Sequence, residues 1–209
     1  MSNQILKELR HHAPFTALGA FSGIIAMFFF QHLPEKLSYN IFYTLHPMHI
    51  ILSALVTASL YKMHRGGSFK DRKSIVLLLI VGYVGSVGIA TLSDSVIPYL
   101  GEVLLKMPNR HIHIGFIEKW YLVNPLALLG IAIAYFNPTT KFPHAGHVLL
   151  STWASLFHII MAIGGALSLF MYLAVFVFLF IAVWIPCCIS DIAFPLLFVG
   201  KTNKRVHAH

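Results

Sequence analysis

The sequence is short of charge, of acid and of cysteine. Charged residues make up 11% of its 209 residues, against about 25% in an ordinary soluble domain. That excludes a water-soluble globule, which would need more polar surface than this chain can supply. Only 7 residues are acidic, against 15 Lys and Arg. The formal charge of +8 would suit a nucleic acid if the chain were soluble. In a chain this apolar it reports basic cytoplasmic loops instead, and no nucleic-acid partner is expected. The two cysteines, Cys187 and Cys188, are adjacent and give no disulfide framework. Phosphate loops, dinucleotide fingerprints and cysteine zinc modules are missing too.

What the chain has is apolar sequence, 57% of its residues, and histidine, with 13 copies outnumbering all the acids together. A membrane-spanning helix takes about 20 apolar residues. Windows of about 19 residues place apolar runs at 13–31, 42–62, 74–100, 122–136, 145–166 and 168–198. The breaks between them are polar or rich in turn formers, as in Gln31-His32-Leu33-Pro34 and Asn137-Pro138-Thr139-Thr140. The third and sixth runs are long for one crossing and carry Pro98, Pro186 and Pro195, so they are expected to tilt, kink or break. Lys36, Lys106, Arg110 and Lys119 fall on one side, and the remaining Lys and Arg on the other. This asymmetry predicts that both termini are cytoplasmic. The first run lacks a small-residue cleavage site and reads as a retained helix.

The runs repeat. His46-Pro47-Met48-His49-Ile50-Ile51-Leu52-Ser53 opens the second, and His144-Ala145-Gly146-His147-Val148-Leu149-Leu150-Ser151 opens the fifth. Both read H-x-x-H, three aliphatics, Ser. Ser93-Asp94 with Pro98 ends the third as Ser190-Asp191 with Pro195 ends the sixth, at nearly the same offset of just under a hundred residues. Thr57 matches Ser155, and Pro14 with Gly19 weakly matches Pro125 with Gly130. Three spans per repeat, an odd number, send the second copy in from the opposite face. The predicted fold is therefore an all-α integral membrane protein of six transmembrane helices arranged as two inverted three-helix repeats, a recurrent transporter design. Its segments are a cytoplasmic N-terminal stretch (1–12), repeat 1 (13–105), an extracytoplasmic loop (106–121), repeat 2 (122–199) and a cytoplasmic tail (200–209).

At about 100° per residue, His46, His49, Ser53 and Thr57 share one helix face, as do His147, Ser151, Ser155 and His158 with His144. A polar stripe along an apolar helix must face protein or water. Two histidines at i, i+3 can converge on one ion, and a carboxylate from the neighbouring helix adds a charge-neutralising ligand. The expected metal ligands are His46, His49 and Asp94 near one face and His144, His147 and Asp191 near the other. Ser53, Thr57, Ser151, Ser155 and His158 would line a path between them. At about 1.5 Å per residue, His49 would lie roughly 10 Å inside the outer boundary. This donor set suits Zn²⁺, Mn²⁺, Fe²⁺, Co²⁺ or Ni²⁺ over the oxygen-seeking Ca²⁺ and Mg²⁺. Protons are a rival cargo or coupling ion.

Blander readings apply elsewhere. The Ser-Asp-x-x-x-Pro element could simply cap a helix restart, and Gly82, Gly85 and Gly88 allow close helix packing. Cys187 and Cys188, within a turn of Asp191, read as small buried hydrophobes rather than soft ligands. His111, His113 and Glu118 are loop residues able to collect cations.

The function expected is a small secondary transporter of a divalent transition metal, with a homodimer as a plausible way to enclose its path. The alternatives are a membrane-embedded metal-dependent hydrolase, a b-type haem protein and a proton-coupled carrier of an organic substrate. The hydrolase would gather its ligands around one pocket, and convergence of all four histidines on one cavity would favour it.

Overall fold

The computed structural model describes residues 2–66, 69, 71–165, 167–189 and 194–198; for 2–12, 15, 141–144, 188 and 196 it describes the backbone alone. Every regular element among them is helical. In chain order they are α1 (Ser2–Phe30), α2 (Glu35–Arg65), α3 (Arg72–Leu104), α4 (Gly115–Glu118), α5 (Trp120–Phe136), α6 (Lys141–Ala162), α7 (Leu169–Cys188) and α8 (Phe194–Leu197). Each of the six apolar stretches of the sequence contains helix among its described residues. Four segments, Glu35–Arg65, Arg72–Leu104, Ala145–Ala162 and Leu169–Cys187, are long and apolar enough to cross a membrane, which points to membrane insertion. The apolar helical stretches Thr16–Phe30 and Trp120–Phe136 are shorter.

Helix α2 is the axis of the molecule. It packs along α6 on one side and α5 on another, while α1 and α7 close around α6. Glu35 in its first turn and Lys62, His64 and Arg65 in its last complement the helix dipole, and Gly66 at φ 64° ends it. It begins well before residue 42, where the apolar run starts, because polar residues extend a helix as readily as apolar ones once the turn is nucleated. Phe42 meets His158, and seven residues on His49 meets His147, so α2 and α6 run antiparallel.

The contact between α2 and α5 depends on Gly130, where a Cβ would collide with the Ile51 carbonyl and the Ala54 methyl. Gly82 and Gly85 do for α3 what their spacing predicts: their missing Cβ atoms leave room for Ile131 and Thr57. Gly88 meets nothing within 4 Å. Outward-facing Phe21, Phe28, Phe29, Leu169, Phe170 and Leu173 leave α1 and α7 with apolar exteriors, a surface that hydrocarbon can solvate.

Helix α3 runs through Pro98 without a break. It contains two π-helical segments, Val84–Gly88 and Leu92–Val96, and continues as α-helix from Ile97. A proline ring clashes with the carbonyl four residues back, here that of Asp94. The wider π turn spanning Asp94 relieves that clash without breaking the helix.

Candidate functional site

The second π segment holds Ser93, Asp94 and Ser95, all buried. It presents Asp94 to the polar faces of α2 and α6 at once. His46 Nδ1 and His49 Nδ1 lie 2.8 and 2.7 Å from the same oxygen, Asp94 Oδ2. The other oxygen, Oδ1, accepts from Ser93 Oγ at 2.6 Å and from Ser151 Oγ at 2.7 Å. Because an ionised carboxylate only accepts, both imidazoles carry their proton on Nδ1. Their Nε2 atoms are buried with no hydrogen-bond partner among the described residues. A carboxylate on one ring nitrogen fixes the tautomer and leaves the other nitrogen as an electron-rich donor, the arrangement found behind metal-bound histidines.

One ligand atom from each of His46, His49 and Asp94 can be chosen so that all three lie within 4.8 Å of one another, and all three residues are fully buried. This donor set, two imidazoles and one carboxylate, fits a borderline divalent ion. The His46 ring is held between Phe42, stacked at 5.2 Å, and Gly115 at the start of α4. A Cβ at Gly115 would collide with His46 Nε2, so only glycine lets α4 lie over the ring.

The α6 stripe completes the centre. Ser155 Oγ shares its single proton between the Ser93 carbonyl at 2.9 Å and the Ser151 carbonyl at 2.8 Å. The His147 ring stacks on His49 with centroids 5.7 Å apart. Ser53 and Thr57 are buried one and two turns farther along α2, with the Thr57 methyl against Gly85. His158 Nδ1 donates to Glu102 Oε1 at 2.7 Å.

The sequence reading separated His147 from His46 and His49, one set near each face. The structure instead puts His147 against His49. Because α2 begins at Glu35, His49 lies about 14 residues, roughly 21 Å, along it, at mid-helix rather than near an end. The antiparallel α6 brings His147 to the same level. The remainder of the second set, Asp191 and the His144 side chain, lies outside the described residues, as do Ser190 and the Cys188 side chain. Cys187 packs with Val148 and Val183, as a small hydrophobe would.

Glu102 was missed. It lies in the last turns of α3, just past residue 100, where the apolar run ends, and is 1% exposed. The available signal was that it is one of 7 acids and shares a helix with Asp94. Beyond it, Glu118 accepts from Tyr43 at 2.6 Å and from His113 at 3.3 Å. Burial works to raise the Glu118 carboxyl, but these two donors overcome it and hold it below its ordinary value. Burial lowers the His113 imidazole despite the pull of Glu118.

No known protein family, curated protein or solved structure matches this chain.

Proposed function

We propose that this chain is a small secondary transporter of a divalent transition-metal ion, with one central cargo site formed by His46, His49 and Asp94. The observation that carries the reading is that this buried group lies where two polar helix stripes meet. His46 and His49 on α2 meet His147, Ser151 and Ser155 on α6 around Ser93 and the Asp94 carboxylate of α3. In this reading the six helices form two inverted repeats with both termini cytoplasmic, and lipid surrounds the apolar exteriors of α1 and α7. The ion would bind in place of the imidazole–carboxylate hydrogen bonds or on the buried Nε2 atoms. The π segments of α3 supply turns whose hydrogen-bond register can shift as access alternates.

Purified chain in liposomes should move Zn²⁺ or Co²⁺, and His49→Ala and Asp94→Asn should abolish the flux. Normal flux in both variants, with the fold intact, would sink the proposal.

A metal-dependent hydrolase is the second reading. It is favoured by the presence of a third imidazole, His147, and of two hydroxyls, Ser93 and Ser151, at the same centre. A held metal would lower the pKa of a bound water to make a nucleophile. The centre is sealed, and the cavity nearest His158 is lined by imidazole and charged groups, which suits ions better than an acyl substrate. Zinc-dependent ester or amide hydrolysis without metal flux would establish this reading over the first.

A further inference from the structure

A second cluster of imidazoles and carboxylates lies apart from the central group, where the 106–114 segment covers the ends of α2, α3 and α6. It lines a cavity of about 410 Å³, with Glu102, His113 and His158 in its wall and Glu35, Arg110 and His111 exposed at its rim. Two of its histidines repeat the chemistry of the central pair. His158 Nδ1 is 2.7 Å from Glu102 Oε1, and His113 Nδ1 is 3.3 Å from Glu118 Oε2. Each carboxylate accepts a hydrogen bond from Nδ1–H and so leaves the Nε2 lone pair free to act as a ligand. The His158 tautomer is fixed independently, because its Nε2 accepts the His113 backbone N–H. At 3.4 Å that bond is long and easily exchanged for a stronger one.

The three rings are neighbours: His111 and His113 lie 4.9 Å apart between centres, and His113 and His158 5.5 Å. Their ligand atoms are not drawn together as those of His46, His49 and Asp94 are, the one such group among the described residues, so an ion in the cavity would have to pull the imidazoles inward. A separate observation points to a missing ligand. Glu102 is 1% exposed, and its second oxygen, Oε2, is buried without a hydrogen-bond partner among the described residues. A buried acceptor left without a bond is unfavourable, and a cation in the cavity would satisfy it.

We infer that this cavity is a second divalent transition-metal site, separate from the central one, with His111, His113 and His158 as nitrogen ligands and Glu102 holding His158 and facing the ion. Three imidazoles with a carboxylate suit Zn²⁺, Co²⁺ or Ni²⁺. The inference stands on its own geometry and does not require that the central ion be carried across a membrane.

The test is titration of the full-length purified protein with Co²⁺ alone, followed by its visible d–d absorption and by equilibrium dialysis. The wild-type chain should bind two equivalents. The His111→Ala/His113→Ala chain, altered only in the loop, should lose one of them, and Glu102→Gln should weaken the same one at least tenfold. Asp94→Asn should retain this site while losing or weakening the other. A wild-type chain that binds only the equivalent removed by the double variant leaves the inference intact and counts against the transporter reading. Full wild-type stoichiometry and affinity in the double variant, or no equivalent that the double variant removes, overturns the inference.

Discussion

Replacing Asp94 separates a charge effect from a hydrogen-bond effect at the centre. Its four bonds come from two imidazole N–H groups on Oδ2 and two hydroxyls on Oδ1. In Asp94→Asn the amide oxygen can keep both imidazoles while the amide NH₂ donates to the two serine oxygens, which rotate their protons away. No bond need be lost. What disappears is the charge on the acceptor. Hydrogen bonds to charged groups contribute about 1.5–3 kcal/mol and neutral ones about 0.5–1.5, so the four bonds together weaken by about 4 kcal/mol, and release from the cost of burying a charge offsets part of that. The variant should fold with about 2 kcal/mol less stability. Asp94→Ala instead strands two buried imidazole donors at about 1–3 kcal/mol each. That loss, about 2–6 kcal/mol, is a large share of the 5–15 kcal/mol that holds a typical domain together. Thermal unfolding in detergent should therefore rank wild type above Asn and Asn above Ala. Calorimetric Zn²⁺ titration of the Asn variant should show affinity reduced at least tenfold, the usual effect of disturbing a carboxylate behind metal-bound histidine. An alanine variant as stable as wild type, or an asparagine variant with wild-type Zn²⁺ affinity, would refute the reasoning.

Other predictions follow from single contacts. Gly115→Ala pushes a methyl into the His46 ring and should weaken central Zn²⁺ binding, whereas Gly88→Ala enters open space and should raise stability by about 0.5–1 kcal/mol; unfolding and titration of both variants check the contrast. Gly130→Ala forces the α2 backbone at Ile51 away from α5 and should cost about 1–3 kcal/mol by overpacking, read as a lower unfolding midpoint. Asp71 caps α3, accepting from Ser74 N at 2.9 Å and Ser74 Oγ at 2.6 Å, and these bonds hold its carboxyl below 3.8. Its contribution is therefore full above pH 3.8 and is lost as pH falls through the lower folded value. Unfolding midpoints of Asp71→Ala and wild type should differ at pH 6 and converge in strong acid.

Much of the frame was legible because it depends on local pattern. Apolar runs and turn formers located every long helix, since helix formation and burial of apolar side chains are set by composition over about 20 residues. Helix boundaries were less legible. Residues 35–41 of α2 and Glu102 of α3 are polar enough to fall outside an apolar window, yet they are helical because a nucleated helix runs on until something stops it. That error of one or two turns displaced His49 from mid-helix toward an end. It turned one expected pair of separate sites into a different picture, in which His147 meets His49. The outer cluster was harder still to see, because His111 and His113 are joined to Glu102 and His158 only when the 106–114 segment folds back over the helix ends.

The sequence by itself determined that the protein is helical and apolar, that His46, His49, Ser53 and Thr57 share a stripe, and that Asp94 belongs to a neighbouring helix. Periodicity and composition suffice for those, since each is a property of one segment. Only the tertiary structure decided which stripes face each other, that one carboxylate oxygen serves both histidines, and that Gly115 seals the ring. Those depend on helix register and on a π turn at Asp94, set by the packing of α2, α3 and α6 against one another.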